Sequence, residues 1–172
     1  FADITHEKEY QLELEKMAHY DALTNLPNRF LLSDRIIQAI ASIQRTEDII
    51  ALMFIDLDGF KQVNDLYGHQ AGDHLLKTIA SRFVNTVRES DTVSRIGGDE
   101  FVVLITGNQH IHELYNIAKR LLIDASKEVE YEEQSLKVSC SIGVVYYHHK
   151  YSAKIGSEQL LRLADQTMYE AK

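Results

Sequence analysis

Residues 49–55 read Ile-Ile-Ala-Leu-Met-Phe-Ile, an unbroken apolar run of strand length. A strand that is apolar at every position has no face to offer water, so this one is expected at the centre of a sheet covered on both sides. It ends in Asp56-Leu57-Asp58-Gly59. A carboxylate at the mouth of a buried strand needs a cation or a water-filled cleft beside it. The plainer alternative makes Asp58-Gly59 a turn and Asp56 a helix cap.

The other segments supply layers for such a strand. Residues 6–20 form a polar helical pattern with a thin apolar stripe at Tyr10, Leu14 and Met17, read either as a solvated linker helix or as part of a parallel dimer stalk. Residues 21–29 break the pattern, with Pro27 ending one helix and Asn28 able to cap the next, over 30–42. A helix is expected from Phe60, interrupted at Gly68 and resumed over 72–88. Apolar runs at 92–96 and 101–105 read as a hairpin, followed by a helix over 112–129, a strand over 135–147 and a helix over 157–172. This order implies an α+β sandwich with a mostly antiparallel central sheet, its core a ferredoxin-like βαββαβ unit. A chain of 172 residues with 45% apolar content fits one domain with an added N-terminal helix.

The hairpin runs enclose Gly97-Gly98-Asp99-Glu100. A tight turn accounts for the glycines but not for the acids that follow them. Either this is an ordinary acidic hairpin, or the glycines let a ligand approach the backbone beside carboxylates suited to a hard metal ion. In a βαββαβ sheet the first strand lies beside the hairpin, which brings Asp56 towards Asp99 and Glu100. Three converging carboxylates would suit Mg²⁺ or Mn²⁺.

Lys61 opens the next helix, whose N-terminus is a ready site for phosphates, although a solvated lysine is the plain alternative. No GxxxxGK segment occurs, which excludes a P-loop cradle. Asn64 and Asp73 flank Gly68-His69 and could read the polar edges of guanine; Asp73 could equally cap the second helical piece.

The formal charge of −8 argues against a nucleic-acid polymer as partner, but leaves open a nucleotide carried on divalent cations. The single Cys140 excludes an internal disulfide and reads as an inert core thiol. With no apolar run long enough to span a membrane and no signal peptide, a cytoplasmic placement is expected. The chain starts at Phe1 without an initiator Met and is expected to be a piece of a larger protein.

Together, Asp21-Ala22-Leu23-Thr24-Asn25-Leu26-Pro27-Asn28-Arg29, Phe54-Ile55-Asp56-Leu57-Asp58-Gly59-Phe60-Lys61, Asn64-Asp65-Leu66-Tyr67-Gly68-His69, the block Gly97 to Phe101, and the closing Ala164-Asp165-Gln166-Thr167-Met168-Tyr169-Glu170-Ala171-Lys172 resemble the GGDEF family of diguanylate cyclases. The blocks cover residues 21–172 in order.

The resemblance implies a fold like that of nucleotidyl cyclases and polymerase palms, with residues 21–172 as the catalytic domain. It implies that two GTP molecules are condensed to cyclic di-GMP, with release of two pyrophosphates, across a homodimer. Carried over by position, Asp56, the Leu57 carbonyl, Asp99 and Glu100 would hold Mg²⁺ or Mn²⁺, two ions per active site. Asp99 would also take the 3′-hydroxyl proton. Asn64 and Asp73 would read guanine with His69 lining the site, Lys61 and Lys172 would hold phosphates, and Gly97 and Gly98 would let the nucleotide lie against the backbone.

Arg88-Glu89-Ser90-Asp91 matches the family's product-inhibition RxxD pair, and Arg120 its additional arginine, with a surface ion pair as the alternative. Residues 1–5 resemble the tail of an upstream PAS-type sensor, with residues 1–20 as the linker or signalling segment. His110, His112, His148 and His149 match no ligand pattern and are expected at the surface. A silent domain that only receives cyclic di-GMP, and a cyclase with relaxed base choice, are the competing readings; Asp73 argues against the latter, since its carboxylate would meet adenine N1 acceptor to acceptor.

Overall fold

The structure is a computed structural model that describes residues 2–107, 110–150, 152 and 154–172. Helices α1 (Ala2–His19) and α2 (Arg29–Ser42) precede β1 (Ile50–Asp58). Helices α3 (Phe60–Tyr67) and α4 (His69–Thr86) follow, then the hairpin β2 (Thr92–Gly97) and β3 (Glu100–Ile105). Helix α5 (Ile111–Ser126), a small hairpin of β4 (Val129–Tyr131) and β5 (Gln134–Leu136), β6 (Ser139–Tyr147) and α6 (Ser157–Ala171) complete the chain.

The central sheet has the order β2-β3-β1-β6 with every pairing antiparallel. This is the expected βαββαβ arrangement, and β1 sits inside it between β3 and β6. Its uniform apolarity has a direct cause. Ala51, Met53, Ile55 and Leu57 pack with Leu75, Ile79 and Phe83 of α4 and Leu114 and Leu121 of α5. Ile50, Leu52 and Phe54 pack with Leu32 and Ile36 of α2 and Leu160, Leu161 and Met168 of α6. Successive side chains point to opposite faces, and both faces are roofed by helices.

Several boundaries differ from the sequence expectation. Strand β1 runs on through Asp58, because pairing with β6 continues to Asp58↔Ser139. Helix α4 starts at His69, directly after Gly68, so Asp73 lies inside the helix and does not cap it. Asp56 caps nothing either: the N-cap of α3 is Gly59, without a side-chain bond. Asn28 does cap α2, its side chain accepting from the Leu31 N–H at 3.1 Å. Helix α1 begins at Ala2, ahead of the helix expected over 6–20, so residues 2–5 form its first turn; Phe1 lies outside the described residues. The segment read as one strand over 135–147 is two elements, with β5 belonging to a separate hairpin.

Cys140 is buried in β6, and burial pushes its thiol up to about 12, as an inert core thiol requires. His110 and His112 are exposed, but His148 is buried, stacked on His149 at 5.0 Å with its Nδ1 accepting from the Lys150 N–H. No described helix is long and apolar enough to cross a membrane.

Candidate functional site

The strand alternation that buries Phe54 continues outward and puts Asp56 and Asp58 on the same face, towards α6. In the β1–β3 register Asp56 stands opposite Glu100, so their side chains share that face. One residue earlier, the Asp99 carbonyl accepts from the Leu57 N–H at 3.2 Å, which ties the hairpin turn to the β1 terminus. The loop joining β2 to β3 is Gly98-Asp99, with Gly98 at φ +44°, the left-handed first position that such a loop asks of glycine. The sheet therefore brings Asp56, Leu57, Asp99 and Glu100 to one edge.

The electrostatics there are those of crowded acids. Burial and the neighbouring Asp56 charge push the Asp99 carboxyl above the usual carboxylate range. Burial, then Asp165 of α6, Asp56 and Asp99 do the same to Glu100, partly offset by Arg29. Asp56 Oδ1 is buried without a hydrogen-bond partner. An orphaned, buried carboxylate oxygen among further carboxylates is a costly arrangement that a hard divalent cation relieves. The donor set fits such an ion.

The expected convergence of three carboxylates is nevertheless incomplete. Among the described residues no three acidic, His or Cys side chains are close enough to close on a metal ion. A side-chain cation already sits beside them. The Lys172 ammonium, one residue past the end of α6, pairs with Asp56 and lies 3.5 Å from Asp58, while Ser141 Oγ donates to Asp58 at 2.7 Å. Lys172 thus meets the carboxylates themselves, and its hydrogen bond to Asp56 holds its own proton above the usual lysine range.

The residues read as nucleotide contacts lie on α3 and α4. Lys61, His69 and Asp73 are exposed, and Asn64 is half-buried at the corner between the two helices. Gly72 makes room for Asn64: a Cβ there would fall 1.9 Å from Asn64 Oδ1.

At the other end of the sheet, Arg88, Asp91 and Arg120 line one cleft of about 430 Å³ together with Thr86, Glu113 and Asn116. Asp91 also has a structural task that its sequence did not announce. Its buried carboxylate accepts from the Arg88 N–H at 2.9 Å and the Thr106 N–H at 3.1 Å, pinning the start of β2 to the end of β3. Arg88 Nη2 donates to the Thr106 carbonyl and Arg120 Nη2 to that of Thr86.

Sequence reasoning assigned no role to Asp58, Ser141, Asp165, Arg95 or Asp21. The last two form an ion pair at 2.9 Å beside the hairpin. The available signal was their position: Arg95 directly precedes the glycine turn, and Asp21 directly follows the linker helix.

Comparison with known proteins agrees with this geometry. The family described as diguanylate cyclase, GGDEF domain, matches residues 18–172. The bifunctional diguanylate cyclase/cyclic di-GMP phosphodiesterase MucR of Pseudomonas aeruginosa is 41% identical over 160 residues, which cover 93% of this chain and 23% of MucR. The diguanylate cyclase DgcS of Shewanella oneidensis is 38% identical over 164 residues, 95% of this chain and 52% of DgcS. The chain therefore spans from about a quarter to about half the length of these relatives. The solved GGDEF domain of TpbB (YfiN) from Pseudomonas aeruginosa superposes with a TM-score of 0.83 at 35% identity, covering 90% of this chain and 88% of that one.

Proposed function

The chain belongs to the GGDEF family of diguanylate cyclases, and on that premise we propose that it condenses two GTP molecules to cyclic di-GMP, with release of two pyrophosphates, across a homodimer. The observation that carries this reading is the β1–β3 register, which sets Asp56 opposite Glu100 with Asp99 tied to Leu57. Asp56, the Leu57 carbonyl, Asp99 and Glu100 would hold divalent ions, Mg²⁺ or Mn²⁺ and two per site in this reading, which would supply Lewis-acid activation of the 3′-hydroxyl and charge neutralisation for the leaving pyrophosphate.

The chain's own groups do the rest. Asp99 accepts the 3′-hydroxyl proton. Lys61 at the start of α3 and Lys172 hold phosphate oxygens; for Lys172 this means leaving Asp56 as the substrate and ions arrive. Asp73 accepts from the guanine N–H donors and Asn64 reads the adjacent edge, with His69 beside them. Gly97 and Gly98, both exposed, leave the backbone open to the nucleotide. Each protomer presents one GTP, so the 3′-hydroxyl of one meets the α-phosphate of the other. An upstream sensor preceding α1 and a cytoplasmic setting complete the proposal.

Purified chain incubated with GTP and Mg²⁺ at several protein concentrations is expected to yield cyclic di-GMP at a rate that rises more than linearly with concentration. Absence of product at every concentration sinks the proposal. Gly72→Ala tests the guanine contact. Its Cβ expels the Asn64 amide, and the KM for GTP is expected to rise about tenfold, the worth of one or two lost hydrogen bonds. An unchanged KM removes Asn64 from base recognition.

Arg88, Asp91 and Arg120 form the product-inhibition site. Asp91 retains lone pairs for guanine beyond its two backbone donors, since a carboxylate offers about four acceptor positions. Arg120→Ala is the cleaner probe, because Arg88 and Asp91 also brace the sheet. The cyclic di-GMP needed for half-inhibition is expected to rise roughly 10- to 100-fold, as loss of a charged hydrogen bond predicts. The same cleft supports a second reading, a catalytically silent receptor; a titration that shows binding of cyclic di-GMP without turnover of GTP selects it.

A further inference from the structure

The tip of the catalytic hairpin has little packing of its own. Gly97 and Gly98 are exposed, and nothing lies within 4 Å of where a Cβ on either would stand. Yet the peptide joining Gly98 to Asp99 must be fixed, because its orientation sets where the Asp99 carboxylate points. In a two-residue turn with glycine first, rotation of this central peptide interconverts turn types at small steric cost. Among the described residues, left-handed backbone outside glycine is confined to Asn25, Glu132 and Glu133, so Asp99 has not taken the flipped form.

Arg95 supplies the restraint. Its Nε donates to the Gly98 carbonyl at 2.9 Å, on the very peptide that would rotate. Its Nη1 donates to Asp21 Oδ1 at 2.9 Å and Oδ2 at 3.0 Å, with both side chains largely screened from water. The Arg95 backbone N–H donates to the Pro27 carbonyl at 3.1 Å, so backbone and side chain are both anchored to the 20–28 turn.

That turn is itself closed. Asp21 Oδ2 accepts from the Thr24 N–H and hydroxyl, the Asp21 N–H donates to Leu26 O at 2.7 Å, and Tyr20 bridges Pro27. Burial would raise the Asp21 carboxyl, but Thr24 and Arg95 outweigh it and hold the group ionised below the usual carboxylate range. A guanidinium, with donors in a planar fork, can span the two partners where an ammonium cannot.

We propose that Arg95 is a positioning residue for the reaction: braced on Asp21 at the exit of the linker helix, it locks the Gly98–Asp99 peptide and so aims the Asp99 carboxylate. The inference rests on the cyclase reading of the hairpin. In this role Arg95 acts through Gly98, whose carbonyl it holds.

The test uses the 172-residue chain. Arg95→Lys keeps a cation for Asp21 but loses the second arm. It is expected to lower kcat about 10²-fold, the scale of a misaimed reacting group, with KM for GTP changed less than about twofold. Asp21→Asn should act in the same direction, and the double variant should be no worse than Arg95→Lys alone, because both remove one strut. Amide exchange needs no turnover: in Arg95→Lys, the Asp99 and Glu100 amides should exchange faster while those of Leu52 and Phe54 in β1 stay protected.

A loss carried by KM, independent additive losses, a kcat deficit that vanishes below the variant's unfolding range, or unchanged hairpin exchange would each overturn the proposal. Should the parent chain make no cyclic di-GMP, the cyclase reading fails, and the exchange experiment still decides whether Arg95 locks the turn.

Discussion

Asp99→Asn is expected to lower cyclic di-GMP formation by about 10²–10⁴-fold, the range for loss of a catalytic base, and to raise the melting temperature of the metal-free chain at neutral pH. The two effects share one cause. Asp99 is a partly buried carboxylate facing Asp56, and the fold pushes its proton affinity up. An acid whose folded pKa exceeds its unfolded one contributes stability at pH below the unfolded value, and that contribution is lost as pH rises through the folded value.

At neutral pH the ionised group is therefore a liability that asparagine removes. The advantage of Asp99→Asn in thermal melts should vanish in acid, below the ordinary carboxylate range, and grow as pH rises above it. Glu100 carries the same sign, through burial and then Asp165. Adding Mg²⁺ should raise the melting temperature of the parent chain more than that of the variant. A variant that turns over normally, or melts lower than its parent at neutral pH, contradicts this account of the site.

The second large effect is mechanical. Gly143 in β6 stands opposite Phe54 of β1 and directly beneath α6. A Cβ at this position would fall 2.1 Å from the Met168 N, 2.5 Å from the Ala164 O and 2.6 Å from the Met168 Cα. These are backbone atoms, which cannot swing aside as a flexible side chain would. Gly143→Ala must lift α6 from the sheet, loosening Leu160, Leu161, Ala164 and Met168 from the core.

Overpacking of this kind costs about 1–3 kcal/mol, occasionally more. For a domain of this size that is a fall of roughly 3–10 °C in melting temperature. Because α6 delivers Lys172 to Asp56, turnover should fall as well. Thermal melts that leave Gly143→Ala within a degree of its parent would show that α6 can yield without loss.

Much of this architecture was legible because it rests on periodicity. The apolar run before Asp56 could be satisfied only by a strand roofed on both sides, and the glycines at 97 and 98 only by a tight hairpin. What escaped has physical reasons. Hairpin β4–β5 turns at Glu132 and Glu133, which take φ of +46° and +65° without a glycine or asparagine to signal it. Strand β1 outran its apolar stretch because sheet pairing does not stop where hydrophobicity does.

At the site, the approach of Asp56 to Asp99 and Glu100 followed from the topology, while their exact register did not. The placing of Lys172 on Asp56 and Asp58 could not, since it depends on where the end of α6 comes to rest against the sheet. Asp91 shows the same limit: its spacing to Arg88 suggested a ligand contact, but only the fold reveals that its carboxylate also ties two strands together.

The two ends of β3 carry separate duties. Glu100 opens the strand at the acidic edge, and Thr106, held by Asp91 and Arg88, follows its last residue. Six steps of extended chain put about 20 Å between them. A molecule lodged beside Arg88 cannot overlap one lodged beside Asp99 in the same protomer. If that cleft is the product site proposed above, feedback through it would be noncompetitive in form: a surplus of GTP would not displace the inhibitor, and product concentration would set a ceiling on signal output whatever the supply of substrate.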